Sequence, residues 1–178
     1  MKKILAFAGS NSSTSINQQL LHNVLSRIQG HEIKEIKLTD YPLPIYSADI
    51  EKNEGFPINA TIIKNLILES DALIIAVNEH NGGPSAFFKN IIDWVSRVNR
   101  NFLEGKKILL ISTSPGKRGA ASSLEYSKNI FGRFGGNVIE SFSLPSFKDN
   151  FEDGKVINEV LDMGIEDVLT TFAHQIED

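Results

Sequence analysis

The sequence predicts a three-layer α/β sandwich, a five-stranded parallel sheet in the order 2-1-3-4-5 with helices on both faces. Three observations carry that expectation. Short apolar runs recur, Lys3–Ala8, Ala72–Val77 and Lys106–Thr113, with the length and composition of strands buried on both faces. Between them, apolar residues recur at helical spacing, so strand and helix alternate. The 178 residues, with 41% apolar and 22% charged side chains, suit one domain, 1–178, with a full core. Parallel strands need crossover connections, and repeated strand–helix units supply them.

In chain order, "KILAFA" (Lys3–Ala8) is a buried strand, and a helix from Ile16 to Ile28 follows, with Leu20, Leu21, Val24, Leu25 and Ile28 on one face. "EIKEIKL" (Glu32–Leu38) alternates, as a half-exposed edge strand does. The stretch "TDYPLPIYSADIEKNEGFP" reads as a loop, before a helix from about Ile58 to Glu69. Ala72–Val77 is a fully apolar strand, and a long helix begins near Pro84. Lys106–Thr113 is the next strand, followed by a helix over about Ala120–Phe134 and a last strand, Asn137–Ser143. A helix from about Lys155 closes the chain, with Ile157, Val160, Leu161, Ile165, Val168, Leu169, Phe172 and Ile176 at core spacing. All-apolar strands belong in the centre and the alternating one at the edge, which selects the order 2-1-3-4-5. Ligands of such sheets lie beyond the carboxyl ends of the strands, at the switch between the first and third. Three loops meet there: Gly9–Asn17, Asn78–Pro84 and Ser112–Gly119.

Composition narrows the function. The net charge is −4 and the basic residues are scattered, so no nucleic-acid face is expected. There is no cysteine, which excludes disulfides, thiolate metal sites and cysteine nucleophiles and fits a reducing compartment. No metal-ligand spacing occurs, and His22, His31 and His174 read as helix-surface, turn and helix-end residues. The apolar run after Met1 is too short for a signal segment, and no stretch nears the roughly 20 apolar residues that cross a bilayer; a cytoplasmic protein is expected.

The first loop, "AGSNSSTSINQQLL" (Ala8–Leu21), carries Ser10, Ser12, Ser13, Thr14 and Ser15 into a helix start, where unpaired N–H groups favour an anion. A serine cap on a solvated turn is the other reading of the same residues. Neither GxxxxGK[ST] nor GxGxxG is present. The second loop and its helix read "NEHNGGPSAFFKNIIDWVSR" (Asn78–Arg97). Here the chain resembles the NAD(P)H-dependent FMN reductase family, the flavodoxin-like group that includes azoreductases and quinone reductases. The family pattern P-E-Y-N-x-x-x-P-G-x-L-K-N-A-I-D-W-x-S-R is matched in register by Glu79, Asn81, Gly82, Lys89, Asn90, Ile92, Asp93, Trp94, Ser96 and Arg97. Gly9, Ser10, Ser15 and Asn17 resemble its G-S-x-R-x-x-S-x-N, and "STSPGKRGA" resembles its Gly-rich third loop. Pro42–Glu51 and Phe151–Val156 also fall where the family has similar stretches.

The resemblance implies FMN as cofactor, NAD(P)H as co-substrate, a small-molecule electron acceptor and no catalytic side chain, since hydride chemistry belongs to the flavin. It places Ser10, Ser12, Ser15, Ile16 and Asn17 at the phosphate. Asn78, Glu79, His80, Asn81 and Gly82 fall along one edge of the ring, and Ser114, Gly116 and Lys117 on the other. Three departures stand out: Ser12 replaces the family arginine, and Asn78 and His80 replace its proline and tyrosine. The helix from Pro84 shows Phe87, Trp94 and Val98 beside its core stripe, surplus apolar surface that with the resemblance leads to an expected homodimer or dimer of dimers. A flavodoxin-type electron carrier and a flavin-free scaffold of the same fold remain the alternatives.

Overall fold

The computed structural model describes residues 1–177. Five strands form the sheet: β1 (Lys3–Ala8), β2 (Glu32–Glu35), β3 (Ala72–Val77), β4 (Lys107–Thr113) and β5 (Asn137–Leu144). All pair in parallel, in the order β2-β1-β3-β4-β5. The helices are α1 (Ile16–Leu25), α2 (Ala48–Glu54), α3 (Ile58–Leu68), α4 (Ala86–Val98), α5 (Ala121–Gly132), α6 (Phe147–Asn150) and α7 (Glu159–Glu177). A two-stranded hairpin, β6 (Phe151–Glu152) and β7 (Lys155–Val156), precedes α7.

Alternation along the strands divides the core in two. Ala72, Ile74 and Ala76 of β3 face α1 and α7, while Leu73, Ile75 and Val77 face α3, α4 and α5. Every residue of β3 is buried, as its all-apolar sequence requires of a strand covered on both sides. β2, at the edge, is mostly exposed.

Four local departures from the expected elements have physical causes. α1 stops at Leu25, because the N–H groups of Arg27 and Ile28 bond three residues back and tighten the chain into a turn. β2 ends at Glu35, and Leu38–Asp40 forms a 3₁₀ turn that buries Leu38. The stretch expected as a loop contains α2, whose residues are none of them buried, so apolar periodicity could not reveal it. Its signals are a Ser47 cap, Asp49 and Glu51 in the first turn, and Gly55 at φ 79° after the end. The last helix begins at Glu159, since Asp153 and Gly154, both at positive φ, turn Lys155–Val156 back as a strand onto Phe151–Glu152.

No helix among the described residues is long and apolar enough to cross a membrane.

Candidate functional site

The strand order brings the three loops together at the carboxyl edge of β1, β3 and β4. A cavity of about 210 Å³ there is lined by residues of all three, from Ser10 and Ser15 through Asn78 and His80 to Ser114. A larger groove of about 520 Å³ opens on the far side of the first loop, toward Gln18, His22, Lys37 and Asp40.

The first loop is rich in donors that the chain does not use. Ser15 caps α1, its Oγ accepting from the Gln18 N–H at 3.2 Å. Ser12 Oγ and Thr14 Oγ1 lie 3.3 Å apart, and Ser10 Oγ accepts from the Ser12 N–H at 3.3 Å. Those contacts are long. The Ser13 hydroxyl and the Ile16 and Asn17 N–H groups have no partner among the described residues. Unpaired N–H groups and hydroxyls at a helix start are what an anion requires.

Two loop residues serve the fold instead. Asn17 closes its carboxamide on the backbone of Thr113, donating to the carbonyl at 3.1 Å and accepting from the N–H at 2.9 Å. It thereby ties α1 to the end of β4 and offers an anion only its own N–H. Gly9 answers to packing: a Cβ there would stand 2.6 Å from the Phe88 ring. Its carbonyl accepts from Ser85 Oγ, the cap of α4, at 3.0 Å.

The second loop is a tight hairpin. His80 and Gly83 exchange backbone hydrogen bonds of 2.8 and 3.3 Å around Asn81 (φ 53°) and Gly82 (φ 84°), the Asn-Gly geometry of a two-residue turn. His80, Asn81 and Gly82 are exposed at its tip. Glu79 points elsewhere. Its Oε2 accepts from the Ser123 N–H at 2.9 Å in the first turn of α5. The N-cap residue of that helix, Ala120 at φ 67°, supplies no side-chain cap. A carboxylate at a helix start is favourable, so Glu79 fixes the second loop against α5 and presents backbone groups to the cavity.

The third loop hangs on the segment after β5. Ser114 and Gly116 carbonyls accept from the Phe147 and Ser146 N–H groups at 3.0 and 2.9 Å. Gly119 is required by packing, for at φ 56° a Cβ would lie 2.8 Å from the Leu144 carbonyl. Gly116 is different: a Cβ there would meet nothing nearer than Ser114 Oγ at 3.7 Å, so its bare face is open to a ligand. Lys117 is exposed beside it, and Arg118 reaches Ser122 Oγ at 3.2 Å.

The conspicuous motif on α4 lies outside the cavity. Trp94, fully buried, donates from Nε1 to the Pro44 carbonyl at 2.7 Å and meets the Tyr46 ring edge-on at 5.1 Å. Asn90 donates to the same carbonyl at 2.9 Å and accepts from the Tyr46 N–H at 2.8 Å. Arg97 grips Glu51 with Nε and Nη2 at 2.9 and 3.0 Å, and the Tyr46 hydroxyl donates to Glu51 at 2.9 Å. Hydrogen bonds from Arg97 and then Tyr46 hold the Glu51 carboxyl below its ordinary range. The bond to Glu51 raises the Tyr46 phenol and the Arg97 guanidinium. These residues clasp the segment from Pro44 to Glu51 onto α4. The surplus apolar surface expected around Trp94 is therefore covered by the chain's own loop, and Phe87 packs against the core. Sequence reasoning missed this use; prolines followed by Tyr46 and the cap Ser47 were its only local signal.

Together these features define a flavodoxin-like α/β protein with a donor-lined cavity where three loops meet at the switch point of its sheet. The chain belongs to the NADPH-dependent FMN reductase family, whose model matches residues 2–149, and is an oxidoreductase of that family. It is 31% identical to a quinone reductase of Escherichia coli over 131 residues, 72% of this chain and 68% of that protein. An NAD(P)H-dependent FMN reductase of Pseudomonas aeruginosa is 31% identical over 120 residues, 67% of this chain and 63% of that protein. Among solved structures, the flavoenzyme NAD(P)H:(acceptor) oxidoreductase FerB of Paracoccus denitrificans superimposes with a TM-score of 0.80 at 27% identity, covering 99% of this chain and 98% of that one.

The residues present fit FMN. Donors without partners meet a phosphate, and open glycine backbone in two loops allows a flat ring to approach. Among the described residues no cluster of acids and histidines has the makings of a metal site.

Proposed function

We propose that this protein holds FMN across the three loops and uses it to pass electrons from NAD(P)H to a small acceptor such as free flavin, a quinone or an azo compound. The observation that carries the reading is the set of unengaged hydroxyl and N–H donors at the start of α1, opposite two loops with exposed glycine backbone. When bound, FMN supplies the hydride chemistry; the protein supplies binding, orientation and local electrostatics. The hydroxyls of Ser10, Ser12 and Ser15 and the N–H groups of Ile16 and Asn17 hold the phosphate, with no arginine among them. Backbone groups of His80, Asn81 and Gly82 set one edge of the ring, and Ser114 and Gly116 the other. Lys117 offsets negative charge that builds up on the reduced cofactor or arrives on the NAD(P)H phosphates.

The assembly we propose is a homodimer or dimer of dimers, now on different surface from that around Trp94. On α3 the side chains of Ile58 and Ile62, one turn apart, are exposed, as is Phe56 just before them. Exposed apolar clusters of this kind mark contact faces. A cytoplasmic setting agrees with the absence of cysteine.

The test is the visible spectrum of the purified protein with FMN added, followed anaerobically on addition of NADPH and NADH in turn. A bound flavin band bleached by either nucleotide without a helper reductase is the expected result. A protein that retains no FMN on gel filtration at micromolar concentration would rule the reading out. Bound flavin that neither nucleotide bleaches would identify an electron carrier instead.

A further inference from the structure

The groove of about 520 Å³ on the far side of the first loop is larger than the three-loop cavity and lies beside it. The first loop is the wall between them: Ser10, Ser12, Thr14 and Ser15 line both. Ser12, Ser13 and Thr14 are exposed along its crest. A ligand held at the crest therefore has open space on two sides.

Strand alternation builds the opposite wall. Ile33 packs on the α1 face of the sheet, and Glu35 and Lys37, the next alternate residues of an extended chain, follow it there. The Ile36 N–H donates to the Ala6 carbonyl at 3.0 Å, which carries the pairing with β1 past the end of β2. Glu35 is spent: its Oε1 accepts from Gln18 Nε2 at 2.5 Å and pairs with His22 Nε2 at 2.7 Å. Lys37 and Asp40 are not. Both are exposed on the groove, and neither side chain makes a hydrogen bond or ion pair with any described residue. Ala8, at the end of β1 on the same face, adds only a methyl group to the floor.

Charge decides what fits. A cation and a carboxylate in one trough suit a molecule that carries both phosphate and hydroxyl groups. On the crest, Ser12 stands where the family pattern has arginine, so the donors there are neutral. A terminal phosphate carries nearly two charges at neutral pH, whereas a phosphate esterified on both sides carries one. Neutral donors match the second better. A flavin phosphate extended across the crest would bring a second phosphate toward Lys37 and a ribose toward Asp40.

We propose that this groove is a subsite for the adenosine phosphate half of a dinucleotide, with Lys37 donating to its phosphate and Asp40 accepting from its ribose hydroxyls; this rests on the FMN reading above. Two dinucleotides carry that half. In FAD it is joined directly to the flavin phosphate, the arrangement that the shared wall favours; in NAD(P)H it belongs to the co-substrate. None of the lining residues is Phe, Tyr or Trp, so recognition falls on the ribose and phosphate and not on the base.

Dissociation constants of wild type, Lys37→Ala and Asp40→Ala, measured by calorimetry, test this. FMN and FAD are titrated into the flavin-free protein, and NADP⁺, which cannot reduce a flavin, into the FMN-loaded one. Both variants should weaken FAD by about 3- to 10-fold, the range of a hydrogen bond to a charged group discounted for solvent. FMN should change by less than about twofold in each, which also shows that the variants are folded. Asp40→Ala sets the sign: a carboxylate acting only through its field would, once removed, tighten every anion, whereas a lost ribose contact weakens the dinucleotide. Equal losses for NADP⁺ with FAD unchanged would keep the subsite and give it to the co-substrate. Variants that bind FAD and NADP⁺ as wild type does, a common shift of FMN and FAD, or an Asp40→Ala protein that tightens all three would overturn the proposal. So would wild type that binds FMN but neither dinucleotide. Wild type that binds neither FMN nor FAD would instead overturn the parent reading.

Discussion

The first loop and the clasp on α4 are both dense in polar residues and both match the family pattern, yet they are built in opposite ways. Between Pro44 and Arg97 the groups pair with one another: Trp94 and Asn90 with Pro44, Asn90 with Tyr46, Arg97 and Tyr46 with Glu51. Between Ser10 and Asn17 the hydroxyls make long contacts or none, and the leading N–H groups of α1 go unmet. A region that satisfies itself contributes stability; a region that does not is waiting for a partner. The contrast separates two kinds of recognisable residue, those whose polar groups the fold pairs and those whose donors it leaves unpaired.

The strongest way to break that contrast is at the clasp. Trp94→Ala removes a fully buried indole and its bond to Pro44, and should cost about 3–5 kcal/mol in urea unfolding followed by circular dichroism. A loss below about 0.5 kcal/mol, the range of surface changes, would mean the clasp is not structural.

The loop should respond the other way round. Ser12→Arg restores a charged donor on an exposed position, and a charge-assisted hydrogen bond of about 1.5–3 kcal/mol corresponds to FMN binding at least tenfold tighter. Unfolding of the ligand-free protein should stay within about 0.5 kcal/mol of wild type. An arginine that shifts stability and leaves FMN affinity alone would erase the distinction between the regions.

The smallest effect is electrostatic. The Glu51 carboxyl is depressed in the folded protein, first by Arg97 and then by Tyr46. Its contribution is therefore present above the unfolded value, about 4.3, and is lost as pH falls through the lower folded one. The Tyr46 phenol is raised by Glu51, so its contribution holds below the unfolded value of about 10 and is lost as pH rises through the folded one. Tyr46 and Glu51 are half-buried at the clasp, but Arg97 is exposed, and screening keeps the change modest. The single tryptophan is a built-in reporter. Its emission should be flat near neutrality and change at both extremes, with the acid change absent in Glu51→Gln. An identical acid change in that variant would show that Glu51 does not govern it.

Much of this was readable before any coordinates. The strands β1 and β3 begin and end where their apolar runs do, because a strand buried on both faces has no polar position to blur its edges. The Asn81-Gly82 and Asp153-Gly154 turns lie in residues that accept positive φ, a local signal that the expected helix from about Lys155 passed over. α2 was hidden, since a helix with no buried residue has no apolar period to display. At the site, the hydroxyl loop was legible as a run of donors at a helix start because its chemistry lies in consecutive residues. The use of Asn17, Glu79 and Trp94 was not, for each is decided by a partner far along the chain: Thr113 is 96 residues from Asn17, Ser123 is 44 from Glu79, and Pro44 is 50 from Trp94.

The sequence by itself determined the layer architecture, the order of the strands and the meeting of three loops, because hydrophobic periodicity and crossover geometry are local rules repeated along the chain. Only the tertiary structure decided which polar groups the protein consumes and which it leaves unpaired. Hydrogen bonding is a matter of a few tenths of an ångström and a direction, and these exist only once register and helix placement have brought distant residues face to face.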